Sequence, residues 1–254
     1  MPFRRITLAF LCAIASCPPL DAPEKVGPLL GTSWKQRDAY AAFTPESSPG
    51  MHERLGCWSV AFAQILYHHR LEPNGIESYE SSNYGLISEN FDDPDVNMAL
   101  VLPRILADSP SDASAETARY LYYAAIVVHK DFGTGDYIGN SDVRRASVEA
   151  HYGVDTERMR YPESSRASIE AFIRKELAAG RPLLLYSEST ASYEEGQSHA
   201  LVIDGVDGTG NSLKVHLNFG WEGVSDGWYD FWAPISSEYG LFDKESRWVL
   251  AVRP

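Results

Sequence analysis

Three side chains far apart in this 254-residue sequence have types that do chemistry together: Cys57, His199 and Asn218. A thiolate is a strong nucleophile, an imidazole moves protons near neutral pH, and a carboxamide can orient the imidazole through its second ring nitrogen. Of the three cysteines, Cys12 sits in an apolar N-terminal run and Cys17 at its end, which leaves Cys57 as the one thiol of the remaining chain. A lone thiol is either a reactive group or a small core residue. Its surroundings favour the first. Cys57 follows Gly56 and opens the run CWSVAFAQILYHH, so its sulfur stands at a helix N-terminus, where the dipole and unpaired backbone N–H groups favour thiolate. Gly56 allows a tight turn there, and the Cys57 N–H can donate to an oxyanion. Asn218 is neutral, so it would orient the ring of His199 without cancelling the imidazolium charge that stabilises a thiolate.

The elements that must position these groups follow from periodicity. Residues 33–56 are polar, with Pro45, Pro49 and Gly50, and read as an extended loop delivering the chain to a helix over 57–69. That helix has a wide apolar face at Trp58, Ala61, Phe62, Ile65 and Leu66, and Pro73 and Gly75 end it. Residues 77–110 are turn-rich and read as mostly irregular, with a helix over 97–106. Further helices are expected over 114–130, 141–151 and 165–179, the last closed by Gly180 and Pro182. Short apolar or alternating runs then predict strands over 183–186, 199–205, 213–219, 228–232 and 247–252, separated by Gly, Asp and Asn turns. The expected layout is α+β, a helical N-terminal lobe and an antiparallel, sheet-rich C-terminal lobe, with the active site in the cleft between them.

His199 follows Cys57 by roughly 140 residues, inside the separation of about 130 to 150 that papain-type enzymes show. Three blocks resemble the streptopain family of papain-clan cysteine peptidases. They are Gly56-Cys57 with Ala63-Gln64-Ile65, the run His199-Ala200-Leu201-Val202-Ile203-Asp204-Gly205, and His216-Leu217-Asn218-Phe219-Gly220-Trp221-Glu222-Gly223 continuing into Val224-Ser225-Asp226-Gly227. The resemblance implies a papain-like fold and peptide-bond cleavage without metal or organic cofactor. It implies Cys57 as nucleophile, His199 as acid/base, and Asn218 with Trp221 supporting the His, the indole shielding a His–Asn hydrogen bond from water. The sequence departs from the pattern in three places. Papain-clan enzymes place an oxyanion-donating Gln six residues before the Cys, where this chain has Met51. Glu222 replaces a usual Gly and is expected to add bulk and charge near the His loop. Streptopain-like precursors carry a long inhibitory prosegment not seen ahead of Cys57, so latency is expected to come from elsewhere.

Other patterns are weaker. Gly223-Val224-Ser225-Asp226-Gly227 fits G-x-S-x-G on paper but lies between strands with no His after it, and reads as a turn. His68-His69 reads as a polar helix end, because adjacent helical positions point apart. Asp92, Asp93, Asp95 and Asn97 read as a solvated loop lacking the EF-hand Gly and Glu. Trp228 and Trp232 read as core aromatics.

A net charge of −13 opposes nucleic-acid binding, which rests on Lys and Arg neutralising phosphate. At the N-terminus, Arg4 and Arg5 precede an apolar run and Ile14-Ala15-Ser16-Cys17, which resembles a bacterial lipobox. Residues 1–16 are therefore expected to be a signal peptide, 17–32 a leader and 33–254 one peptidase domain. The protein would be exported, either simply secreted or attached to a membrane through a lipid on Cys17. The expected partner is a protein or peptide substrate and the expected state a monomer. Two other readings remain open at this stage: a non-catalytic relative that binds peptides or a partner protein, and Cys-dependent acyl transfer to an amine.

Overall fold

The computed structural model describes residues 24–193 and 196–254. The expected signal peptide, Cys12 and the lipidation candidate Cys17 lie outside the described residues. A short 3-10 turn at Asp38–Ala41 and a small hairpin, β1 (Glu46–Ser48) with β2 (Met51–His52), precede helix α1 (Cys57–His68). A second hairpin, β3 (Ile76–Ser81) with β4 (Gly85–Asn90), leads to α2 (Ser111–Val127) and α3 (Ser141–Tyr152). Then come β5 (Asp155–Tyr161), α4 (Arg166–Ala178), β6 (Leu183–Tyr193), β7 (Gly196–Asp207), β8 (Lys214–Asn218) and β9 (Gly227–Asp230). A third hairpin, β10 (Ile235–Ser237) with β11 (Gly240–Phe242), and strand β12 (Arg247–Arg253) end the chain.

The central element is a six-stranded antiparallel sheet in the order β5-β12-β6-β7-β8-β9. Because side chains alternate across a strand, each central strand feeds two cores. Leu184, Ala200, Val202, Leu250 and Val252 pack with α1 and α2 on one face. Leu183, Leu185, Leu201, Ile203, Val249 and Ala251 pack with Ile169, Phe172, Ile173 and Leu177 of α4 on the other. Helix α1 is enclosed on all sides: every residue from Trp58 to Tyr67 is buried, wedged between the sheet and α2. This is the element that carries Cys57 at its first position.

The helix expected over 97–106 is absent. Pro103 removes a donor inside that window, and neighbouring side chains take the backbone groups a helix would need. Trp34 Nε1 donates to the Leu102 carbonyl and Tyr67 Oη to that of Val101, while Thr117 Oγ1 and Tyr40 Oη accept from Leu102 N and Ile105 N. The hairpin β3–β4 occupies part of the stretch expected to be irregular; only Tyr79, Ser81 and Ile87 of it are buried, so its alternation is faint in sequence. Strand β5 was likewise hidden by its polar composition, DTERMRY, since it is an edge strand held by register against β12. No helix among the described residues is long and apolar enough to cross a membrane.

Candidate active site

Helix α1 begins at Cys57 because Gly56 turns the chain with φ 85°, a conformation few other residues adopt. Space excludes them too: a Cβ on Gly56 would lie 2.3 Å from the hydroxyl of Tyr137 and 2.9 Å from the Lys130 side chain. The same hydroxyl accepts the Trp58 N–H at 3.0 Å, capping the first turn. Cys57 is the free thiol of the described residues. Burial pushes it up; backbone hydrogen bonds from Ala200 and Trp58 and the charge of Lys130 pull the other way. Ala200 is the neighbour of His199 on β7, so the strand that carries the imidazole also touches the sulfur.

His199 is 2% exposed and its ring sits in an aromatic cage. Trp221 lies 4.5 Å away between centroids, Phe242 5.9 Å and Phe219 6.1 Å, the last nearly parallel at 16°. The ring Nε2 is 2.8 Å from the Phe219 carbonyl oxygen. A carbonyl only accepts, so Nε2 carries the proton and Nδ1 is the basic nitrogen of the neutral ring. Phe219 is held at its other end, its N–H donating to Asp226 Oδ1 at 2.8 Å. Burial raises the Asp226 carboxyl to about 6. Cys57 and His199 both line a cavity of about 490 Å³, with Gln36, Lys130, Tyr137 and Arg144 among its other walls. That arrangement places a thiol and an imidazole of fixed tautomer on one cavity, the equipment for nucleophilic acyl transfer.

The sequence profile of the Peptidase C10 family matches residues 34–229, which span both the Cys57 helix and the His199 strand. The chain belongs to the peptidase C10 family. Streptopain of Streptococcus pyogenes is 28% identical over 222 residues, covering 78% of this chain and 53% of its own length. The thiol protease/hemagglutinin PrtT of Porphyromonas gingivalis is 25% identical over 236 residues, 83% of this chain and 25% of its own. The chain thus spans about half or less of the length of these curated relatives. Among solved structures, active wild-type interpain A cysteine protease of Prevotella intermedia superposes with a TM-score of 0.77 at 22% identity, over 92% of this chain and 97% of that one. The fold is accordingly α+β and papain-like, as expected.

Within this C10 fold the side-chain amide of Asn218 bonds elsewhere than to His199. Asn218 pairs with Val202 across β7 and β8, so its side chain points to the α1 face, where Ala200 and Val202 also point. There its Oδ1 accepts from Gln64 Nε2 and from Gly220 N, both at 3.0 Å, and its amide donates to the Thr32 carbonyl at 3.0 Å. His199 is on the opposite face of β7. The group facing its Nε2 is the backbone carbonyl of Phe219, one residue on. Trp221 lies against the ring of His199.

Met51 lies away from the Cys57 cavity. It is 61% exposed on β2 and lines a different surface hollow with His52, whose Nδ1 contacts the Thr44 carbonyl at 2.6 Å. The hairpin β1–β2 is an excursion: the chain leaves at Gln36 and returns at Leu55, whose N–H donates to the Gln36 carbonyl at 3.0 Å. Gln36, buried at 7% exposure, therefore reaches the Cys57 cavity although 21 positions separate the two in sequence. Counting six residues back could not find it. The available signal was composition, since Gln36 is the only Asn or Gln ahead of Cys57.

Glu222 adopts φ 60°, the conformation a Gly would take more easily. Its carboxylate does not line the cavity; it pairs with Lys35 at 2.8 Å and Arg104 at 3.8 Å. Glu222 N donates to the Trp34 carbonyl at 3.0 Å, so this residue grips the segment that carries Gln36. The other patterns resolve as expected of ordinary structure. His68 Nε2 contacts the Gly180 carbonyl, Asp92 accepts from Gly75 N, and residues 223–227 turn between β8 and β9. Among the described residues no group of three or more His, Cys, Asp or Glu is arranged to hold a metal ion.

Proposed function

We propose that this chain is a cysteine endopeptidase that cleaves proteins through an acyl-enzyme on Cys57. The Sγ thiolate adds to the scissile carbonyl carbon, and the resulting oxyanion is met by the Cys57 N–H and the Gln36 carboxamide. His199, protonated on both nitrogens at that moment, gives a proton from Nδ1 to the leaving amine as the C–N bond breaks. Water then attacks the thioester with Nδ1 as base, and Cys57 is released. The Phe219 carbonyl keeps the ring in one orientation through both steps. Trp221 and Phe219 offer π faces to the imidazolium and keep water from the His199 to Phe219 hydrogen bond.

The observation that carries this reading is the shared cavity of Cys57 and His199 in a C10 chain, with Nε2 of the imidazole committed to a carbonyl. The names of the relatives, a streptopain, a thiol protease and a cysteine protease, support the same class. Export belongs to the proposal and rests on the basic and apolar leader; lipidation at Cys17 is its membrane-attached version. The test is labelling with an epoxide-type cysteine-peptidase inhibitor, read by intact mass, beside casein cleavage. Rapid one-to-one labelling that requires both Cys57 and His199, together with cleavage, is the expected result. Labelling no faster than a free thiol and no cleavage would leave a binding protein on a peptidase fold.

A further inference from the structure

Lys130 is 1% exposed, follows α2, and lines the Cys57 cavity. Its ammonium donates to three backbone carbonyls of the segment that follows it: Asp131 at 2.8 Å, Thr134 at 2.7 Å and Asp136 at 2.9 Å. An ammonium has three N–H bonds, so all are used by the backbone and none is left for a substrate. Residues 131–137 are wrapped around this one charge. The wrap is closed by Asp131 N donating to Asp136 O at 3.2 Å and by a bridge between Lys130 and Tyr137. Thr134, Gly135, Asp136 and Tyr137 form a wall of the cavity, and Tyr137 delivers the hydroxyl that caps α1 at Trp58 N.

No carboxylate oxygen among the described residues lies within ion-pair distance of the Lys130 Nζ, so carbonyl dipoles solvate its charge directly, while Asp131 and Asp136 act on it from farther off. That charge is felt by Cys57, and the Lys130 stem packs where a Gly56 side chain would be. We infer that Lys130 is a positioning residue of the thiol site, whose ammonium both folds residues 131–137 into the cavity wall and supplies the positive charge that favours the Cys57 thiolate. This rests on Cys57 being the reactive thiol. It does not require that peptide bonds be the substrate.

The stoichiometry makes the device sensitive to pH. A neutral amine has two N–H bonds, so deprotonation leaves one of the three carbonyls without its donor and removes the charge. Burial draws Lys130 down to about 8. The titratable and charged groups facing it are Cys57 at the start of α1 and Arg54 just before it, Asp131, Asp136 and Tyr137 from its own loop, and Arg144 on α3 and His199 on β7 across the cavity.

The experiment measures the rate of Cys57 alkylation by iodoacetamide against pH, and kcat/KM on a peptide substrate over the same range, for wild type, Lys130→Met and Lys130→Arg. Lys130→Met should move the alkylation midpoint up by about one pH unit and cut the rate at pH 7 about tenfold. Lys130→Arg, which keeps the charge, should recover most of that loss. Should Lys130→Met not fold, Lys130→Gln keeps two donors to the carbonyls without the charge and is held to the same expectation. A midpoint unchanged in the uncharged variant, or a loss equal at every pH that arginine does not recover, overturns the inference. Because alkylation reports on the thiol alone, an inactive wild type would sink the peptidase proposal while leaving this one decided.

Discussion

The Nε2 of His199 faces the backbone carbonyl of Phe219 at 2.8 Å. A backbone acceptor cannot rotate away or change its protonation state, so the tautomer of the imidazole is set by the β8 turn. Asn218, next in line, is spent on tying that turn to α1 through Gln64 and to the leader through Thr32.

Asn218→Ala should therefore act on stability more than on proton transfer. The variant leaves Gln64 Nε2, Gly220 N and Thr32 O without partners in a buried place, a cost of about 1 to 3 kcal/mol. Urea unfolding should show that loss, while the pH profile of kcat/KM keeps its midpoints. A shifted acidic midpoint with unchanged stability would make Asn218 the group that orients the ring.

Asp226 tests the next link, because it grips the Phe219 N–H while burial holds its carboxyl up at about 6. An acid whose folded value is raised contributes stability that is fully present below its unfolded value, near 3.9, and lost as pH rises through about 6. Asp226→Asn keeps an oxygen for the Phe219 N–H and never ionises. It should match wild type below pH 4 and exceed it by about 2 kcal/mol above pH 7 in urea unfolding. Asp226→Ala removes the acceptor and should lower kcat with little change in KM. Equal pH dependence of stability in wild type and the Asn variant would refute the assignment.

Gln36 and Met51 make a paired prediction. Gln36→Ala removes one oxyanion donor and should lower kcat by about 10² to 10³ with KM little changed. Met51→Ala, on the exposed hairpin, should leave both constants within about twofold of wild type. Steady-state kinetics on one peptide decides it, and the reverse pattern would put the donor back at position 51.

The contrast between these positions shows what the sequence could convey. Cys57 and His199 were legible because each sits where a periodicity changes: a helix starts after Gly56, and an apolar strand follows a polar loop. The helices and the central strands were legible for the same reason, their buried faces being long and apolar. What stayed hidden depended on long-range closure. Gln36 reaches the site only because Leu55 returns to it after an eighteen-residue excursion. Asn218 turns away from His199 because of register, as Val202 and not His199 lies opposite it. Strand β5 exists through its pairing with β12, and the helix expected over 97–106 is lost to side chains from four other segments. Lys130 lies within the expected helix 114–130, where a terminal Lys is ordinary; its burial among three carbonyls is visible only in three dimensions.

Glu222 offers the last test, since it couples the His199 loop to the segment bearing Gln36. Replacing it with Gly relieves a left-handed residue, worth about 1 to 2 kcal/mol, and deletes two partly exposed ion pairs, to Lys35 and Arg104, each worth about 0.2 to 1 kcal/mol. Its N–H to the Trp34 carbonyl is kept. Glu222→Gly should thus stay within about 1 to 2 kcal/mol of wild type in stability, with kcat changed less than about threefold. Glu222→Lys is the sharper probe, because it sets a third cation against Lys35 and Arg104 and pushes on the residue before Gln36. Its kcat should fall at about 10 mM salt and recover toward wild type near 1 M, where screening shortens from roughly 30 Å to 3 Å. A deficit that salt does not relieve would mean that Glu222 acts through backbone shape alone, and that the Lys35 pair has no part in placing Gln36.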